Sequence, residues 1–365
     1  MAKNKKENEE VEEIGTIDDA FKVLEDLNPN AAFLDESTLS NVKEWVDTGS
    51  YALNAIISGS LYGGVPVGRI TGFVGPSATG KTLMMNKIMA NAQKKGMHTV
   101  YFDSESALDH RTAENLGCDP KKIKHCPIEI IEDCRNQIVK FLDTVVEKKL
   151  QGKVMIVIDS LGNLISSREA KVIQDGKDSA DMGAKAVAVK SMLRAVTHSA
   201  AKANCLVLFS NHVYDNPGAL YPTLIKSQAG GSGPLYMSSV IVQLSTKQER
   251  VGSSDNKNAT DDVTPISKNV NGLSLRAVTT KNRFIPSFLE TELYLNFKTG
   301  LNRYSGLLEM AEGYKVITKQ GHRYVLGEEV LGFYKDWRDK QDVWDKILPK
   351  LEEILQQELK FGKES

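Results

Sequence analysis

The chain has 365 residues, with 46 Lys and Arg against 47 Asp and Glu, for a formal net charge of −1. That balance excludes a bulk excess of positive charge as the means of holding a polyanion, so any nucleic-acid site must be a local patch. A hydrophobic share of 41% with 25% charged residues excludes a mostly disordered or fibrous chain, and at ~150 residues per domain the length suits about two units or one large core with appendages.

The opening residues MAKNKKENEEVEE are charged and lack the apolar stretch of a secretory signal. Apolar runs such as Val154 to Ile158 fall far short of the ~18 residues a membrane span needs. The expectation is a cytoplasmic protein with no membrane partner. Cys118, Cys126, Cys134 and Cys205 form no CxxC pair and the six His show no ligand spacing, which argues for reduced thiols and against a disulfide framework or zinc site.

Residues 1–46 are polar and charge-mixed with one apolar cluster, Ala31 to Leu34, and read as an arm. Residues 47–303 alternate strand-length apolar runs with helix-periodic segments, the pattern of an α/β fold with a mainly parallel sheet flanked by helices. Strands are predicted over Arg69 to Gly75, His98 to Asp103, Val154 to Asp159 and Cys205 to Ser210, where the lack of polar alternation indicates burial on both faces. Helices are predicted over Thr82 to Lys95, closed by Gly96, and over Ile130 to Leu150, where Ile130, Cys134, Ile138, Phe141, Leu142 and Val145 share a stripe. Three later runs, Ser239 to Ser245, Gly272 to Thr280 and Leu289 to Phe297, have no long helix between them and predict antiparallel edge strands. Lys247 to Asn271 reads as a long loop or hairpin tip, and residues 304–365 as a small C-terminal α/β domain ending in an amphipathic helix.

Gly75-Pro76-Ser77-Ala78-Thr79-Gly80-Lys81-Thr82 fits GxxxxGK[ST] between a predicted strand and a predicted helix, the context a P-loop requires. There the backbone wraps phosphates, Lys81 reaches the β and γ oxygens, and the Thr82 hydroxyl can ligate Mg²⁺. Asp159 ends a buried strand, as expected of a second Mg²⁺-binding strand beside a P-loop. A third strand ends at Asp103 with Glu105 just beyond it, at the sheet edge where α/β proteins bind ligands. A Glu in that place can polarise the water that attacks a γ-phosphate.

The P-loop, the segment Asp103-Ser-Glu105-Ser-Ala-Leu-Asp109 and Ile158-Asp159-Ser160 together resemble the RecA-type recombinases. Phe209-Ser-Asn211-His212, Gly230-Gly231-Ser-Gly233-Pro-Leu235-Tyr236 and Ser160-Leu-Gly-Asn163-Leu resemble in particular the phage UvsX-type members, and the likeness covers about Asp47 to Leu331. The resemblance implies a RecA-type core that binds ATP and Mg²⁺, hydrolyses ATP in response to single-stranded DNA, and polymerises as a helical filament. Homologous pairing and strand exchange with double-stranded DNA in recombination, repair and replication would follow. It implies that Glu105 activates the water and that His212 senses the γ-phosphate.

By the same resemblance the loops at about 166–182 and 213–229 face DNA. The first involves Arg168, Met182, Lys190 and Arg194, with Lys171, Lys177 and Lys185; the second Tyr214, Tyr221 and Lys226, followed by Gly230 and Gly231. Lys281 and Arg283 match basic residues that reach a neighbouring subunit's ATP and stabilise transition-state charge there. Asp109 matches the residue at the adenine edge, while Thr112 replaces the aromatic residue usual in the bacterial proteins. The Ala31 to Leu34 cluster is a candidate tether onto the next subunit, and a single-strand-binding protein and a mediator are expected partners. A bacterial cytoplasm, that of an infected host for a phage-encoded chain, is the expected location. The competing readings are a ring-forming ATPase or helicase on the same core, and a filament or loader protein without turnover.

Overall fold

Apolar strands buried from both sides and helices with one apolar stripe organise the protein, seen in a computed structural model that describes residues 16–37, 39–106, 108–176, 182–214, 226–250 and 270–361. The chain divides into two units, Met1–Val42 and Lys43–Ser365. In the first, α1 (Ile17–Leu27) begins at a capping box: the Asp19 amide donates to the Thr16 hydroxyl and the Thr16 amide to the Asp19 carboxylate. No residue of α1 is buried. Phe21 meets Phe33 edge to face at 5.5 Å, and both line a shallow groove with Leu24 and Leu34.

The second unit runs in order through β1 (Trp45–Val46), α2 (Tyr51–Ser58), β2 (Val65–Pro66), β3 (Ile70–Val74), α3 (Lys81–Lys94), β4 (His98–Asp103), α4 (His110–Asn115), β5 (Ile123–Pro127), α5 (Ile131–Glu147) and β6 (Val154–Asp159). It continues with α6 (Ser167–Gln174), α7 (Met182–Lys202), β7 (Leu206–Asn211), β8 (Val213–Tyr214), β9 (Ser227–Gln228), α8 (Gly233–Met237), β10 (Val240–Arg250), β11 (Val270–Asn282), β12 (Glu290–Asn296) and β13 (Gly300–Leu301). The last elements are α9 (Leu307–Gly313), β14 (Thr318–Gln320), β15 (Arg323–Leu326), β16 (Glu329–Gly332), α10 (Tyr334–Trp337) and α11 (Gln341–Glu358).

Among the described residues nine strands form one sheet in the order β13-β12-β11-β10-β3-β7-β6-β4-β5. Pairings from β10 through β3, β7, β6 and β4 to β5 are parallel, and those from β10 through β11 and β12 to β13 antiparallel. This is the mainly parallel sheet with antiparallel edge strands that the sequence predicts.

Successive side chains leave a strand on opposite faces, and β6 shows the result. Met155 and Val157 join the apolar layer under α2 and α3, while Ile156 and Ile158 join the layer under α5 and α7. A third cluster packs Trp337, Trp344, Leu351 and Leu355 with Ala52 and Ala55 of α2.

Three stretches differ from expectation. The region after Ser166 is helix α6, started by the Glu169 amide donating to the Ser166 hydroxyl. An unanticipated parallel edge strand, β5, carries the sequence IKHCP, none of whose residues is buried, as suits a strand with a neighbour on one side only. Strands β10 and β11 extend to Arg250 and resume at Val270, inside the stretch read as loop, because an established antiparallel register propagates hydrogen bonds through polar residues as readily as apolar ones. The remainder of that stretch lies outside the described residues.

Gly72 sits at a close approach inside the sheet: a Cβ there would stand 2.4 Å from Phe209 Cζ and 2.8 Å from Ile241 Cδ1. Gly72→Ala is therefore expected to destabilise the fold by roughly 1–3 kcal/mol through overpacking, read as a lower urea midpoint at unchanged m-value.

Candidate active site

Strand β3 delivers the chain into the loop Gly75 to Gly80, and α3 begins at Lys81. Gly75 allows the loop to lie against β10, since a Cβ there would stand 2.5 Å from the Leu244 carbonyl oxygen. Gly80 enters α3 with φ +77°, and Ala78 takes φ +59°. No side chain caps α3, so its first-turn amides are open to an anion at the positive end of a 14-residue helix. Lys81 Nζ donates to the carbonyls of Gly75 at 3.0 Å and Pro76 at 2.7 Å, folded back over the loop. Burial pushes the Lys81 ammonium below the usual lysine range, against the opposing pull of Glu105 and Asp159.

Asp159 ends β6 almost fully buried. Its Oδ2 accepts from the Thr82 hydroxyl at 2.9 Å and the Tyr101 phenol at 2.7 Å, and its Oδ1 from the Ser210 hydroxyl. The three donors come from α3, β4 and β7, the elements that surround β6. Burial and then the Asp159 charge push the Tyr101 phenol far above its ordinary range, so it stays a proton donor. Beside Asp159 the Ser104 hydroxyl donates to the Ser160 carbonyl at 2.8 Å and accepts from the Ser160 amide at 2.9 Å, tying the ends of β4 and β6. Among the described residues no group of three or more His, Cys, Asp or Glu could hold a metal. A hydroxyl and a carboxylate oxygen already 2.9 Å apart fit a hard cation that takes its other ligands from phosphate and water.

Glu105 lies just past β4 and His212 just past β7. His212 Nε2 is 3.5 Å from Glu105 Oε1, each side chain being 26% exposed. Both face a cavity of about 450 Å³ lined also by Ser77 to Leu83, Asn86, Thr112, Asn115, Leu116 and Asp159. The turn carrying Glu105 is held by Asp103, whose Oδ1 accepts from the amides of Glu105 at 2.9 Å and Ser106 at 2.7 Å while Oδ2 meets His125 Nε2 at 3.0 Å. Burial alone would raise the Asp103 carboxyl, but His125 and the two amides outweigh it and leave it below the usual carboxylate range.

The backbone of His212 continues into the second loop. Its amide donates to Asn211 Oδ1 at 3.0 Å, the Asn211 Nδ2 to the Ala229 carbonyl at 2.9 Å, and the Ala229 amide to the His212 carbonyl at 3.1 Å. The pairs Val213 with Gln228 and Tyr214 with Ser227 complete this stem, with Tyr214 exposed and the Lys226 amide donating to Gln243 Oε1 at 3.3 Å. Gly230 and Gly231, with φ +80° and +74°, bring α8 onto α7: a Cβ on Gly230 would stand 3.0 Å from Val189 Cγ2, and one on Gly231 3.1 Å from Ala186 Cβ.

Other expected site residues lie apart from this cavity. Arg168 sits on α6, and Lys190 and Arg194 on α7, which begins at Met182; the Met182 side chain, Lys177 and Tyr221 lie outside the described residues. Lys185 Nζ donates to the Gly162 carbonyl at 2.6 Å. Asp109 does not line the cavity; its Oδ1 accepts from the amides of Arg111 and Thr112 at the start of α4, and its Oδ2 from the Thr112 hydroxyl. Lys281 Nζ donates to the carbonyls of Leu235 at 2.6 Å and Tyr236 at 2.8 Å, and Arg283 Nη2 to that of Tyr236 at 3.3 Å. Burial and the neighbouring Arg283 push Lys281 down to about 8. Tyr101, Ser210 and His125 were not anticipated; the detectable signal was Tyr101 lying two residues before Asp103, on the same face of its strand.

Because the folded Asp103 carboxyl titrates below its unfolded value of about 3.9, its stabilisation is complete above that pH and is lost as the pH falls through the folded value. Asp103→Asn should lower the melting temperature near neutrality and flatten its decline between about pH 5 and pH 2; an acid limb as steep as that of the unsubstituted protein would contradict the brace.

Residues 17–302 match the RecA N-terminal domain family. The chain is 28% identical over 290 residues to Protein RecA of Paracoccus denitrificans, covering 79% of this chain and 74% of that protein. It is 29% identical over 318 residues to the Recombination and repair protein of Enterobacteria phage T4, covering 85% and 75%. Protein RecA of Borrelia duttonii is 27% identical over 297 residues, 81% of this chain and 75% of that protein. With more than half its length in the family match and a P-loop, a buried strand-end Asp and a Glu–His pair around one cavity, the chain belongs to the RecA family of DNA-dependent ATPases.

Proposed function

We propose that this ATP-dependent recombinase works through Glu105 and His212 at the mouth of the P-loop cavity, on single-stranded DNA held by the 166–182 segment, which contains α6, and by the 213–229 loop. The carrying observation is the single path from Glu105 through His212 to the stem of the second loop. In this reading ATP phosphates occupy the loop Gly75 to Gly80, drawing Lys81 from the carbonyls of Gly75 and Pro76 towards the β and γ oxygens. The residues that would hold Mg²⁺ are Thr82 and Asp159; when bound, it neutralises charge on the phosphate oxygens.

Glu105 orients a water for attack on the γ-phosphorus and takes its proton as the bond to the bridging oxygen breaks, leaving ADP and phosphate. His212 exchanges its contact with Glu105 for the γ-phosphate, and its backbone carries that change to the loop stem. Lys281 and Arg283 act on the ATP of an adjoining subunit, so turnover depends on assembly. Arg168, Lys190, Arg194 and Lys226 meet DNA phosphates and Tyr214 stacks on a base, giving weak sequence preference and a steep response to salt. Homologous double-stranded DNA is the second substrate, a single-strand-binding protein and a mediator are the accessory partners, and the cytoplasm, where DNA is processed, is the compartment.

Phosphate release from Mg-ATP, measured with and without oligo-dT, tests the proposal. Oligo-dT should stimulate turnover and added salt should weaken the stimulation. Glu105→Gln should cut turnover by roughly 10²–10⁴-fold with ATP still bound, and Lys81→Ala should abolish it. Turnover indifferent to DNA would refute the assignment of the two loops. The apolar groove of Phe21, Leu24, Phe33 and Leu34 is the proposed contact with the next subunit. Phe33→Glu should eliminate filaments seen by electron microscopy, and normal filaments would reject that contact.

A further inference from the structure

The cavity at the P-loop has two chemically different ends. The end at Ser77 to Thr82, Glu105, Asp159 and His212 is charged, whereas the end between α3 and α4 is formed by the neutral residues Leu83, Asn86, Thr112, Asn115 and Leu116. Asn86 is fully buried, and among the described residues neither its Oδ1 nor its Nδ2 has a hydrogen-bond partner. A carboxamide left unmatched in the interior destabilises the fold, and nothing in the packing of α3 calls for one: Asn86 lies among Met84, Met85, Ile88 and Met89, all apolar and buried. Asn86 follows Thr82 by four residues and so shares its side of α3, one turn deeper than the phosphate-binding loop.

We propose that Asn86 is a specificity-determining residue that reads the edge of the adenine base, resting on the ATP reading of the P-loop. Adenine offers an amino donor beside a ring-nitrogen acceptor, and a carboxamide supplies the matching acceptor and donor side by side. Leu83 and Leu116 supply apolar contact for the flat faces of the base. Two other polar groups near this end are committed elsewhere: the Thr112 hydroxyl donates to Asp109, and the Asp109 carboxylate caps α4. Asn115, the second carboxamide of the lining, is exposed on α4 and so, unlike Asn86, has no unmet need for a partner. Because no solvent reaches the Asn86 carboxamide in the nucleotide-free protein, it meets the base by turning about its side-chain bonds into the cavity, which places base recognition on α3 rather than at the start of α4.

The test is equilibrium binding of the full chain to the β,γ-imido analogue of ATP and to the corresponding purine-riboside analogue, which has hydrogen in place of the 6-amino group. Inorganic tripolyphosphate reports on the phosphate end alone. The unsubstituted protein should prefer the adenine analogue by about tenfold. Asn86→Leu should bring that ratio near one through loss of adenine affinity, leave tripolyphosphate binding unchanged, and raise the melting temperature of the nucleotide-free protein. Asn86→Ala, a substitution that favours helix, provides the same ratio independently of how leucine fits. A preference that survives both substitutions while tripolyphosphate still binds would overturn the role of Asn86. Failure of the unsubstituted protein to bind either analogue or tripolyphosphate would instead overturn the P-loop reading on which it rests.

Discussion

A carboxylate cannot be buried without hydrogen-bond donors, and the site is built around the way Asp159 meets that requirement. Its donors are hydroxyls from Thr82 on α3, Tyr101 on β4 and Ser210 on β7. Strands β7 and β4 flank β6 in the sheet, so the bonds hold three strand ends and the P-loop helix in one arrangement. A protonated Tyr101 suits this role: a phenolate beside Asp159 would be a second buried negative charge, and burial keeps the proton in place. Neutral hydroxyls also leave the Asp159 charge uncancelled, available to a cation at the adjacent Thr82.

The same strand ends connect the nucleotide cavity to the loops. Asp103 and Asp159 are register partners in β4 and β6, yet their carboxylates have separate tasks. Asp159 faces the P-loop helix, while Asp103 turns to the Glu105 and Ser106 amides and to His125 on the edge strand. Glu105 is thus placed by backbone bonds and keeps its side chain free to meet His212 across the cavity mouth. From His212 onward the connection is again backbone, through Asn211 and Ala229. A displacement of one imidazole is thereby coupled to a loop stem by hydrogen bonds of fixed geometry.

Lys281 and Arg283 give a second route between distant parts. Both donate to carbonyls at the C-terminal end of α8, the helix that Gly230 and Gly231 seat on α7. Cations at a helix C-terminus offset unpaired carbonyls. In a single protomer these side chains therefore have partners of their own, and action on a neighbouring subunit would require leaving α8.

The residues that could be read from the sequence are those whose role is encoded locally. GxxxxGK[ST] specifies a loop and the helix after it; unbroken apolar runs specify strands buried on both faces; an Asp or Glu just past such a run lies at the ligand-binding edge. Helix α6 was locally encoded too, by Ser166 and Glu169 in a capping pattern, and the expectation of a loop there passed over it. The sequence could not disclose Tyr101 and Ser210 on Asp159, His125 on Asp103, or Lys281 on α8, because those contacts depend on strand order. The sheet places β7 beside β6 and β6 beside β4, so side chains 51 and 58 residues from Asp159 meet it. Asn86 is the same case from the opposite side: in sequence it is one polar residue in a helix, and only the closure of α3 against the sheet and α4 buries its amide at the floor of the cavity.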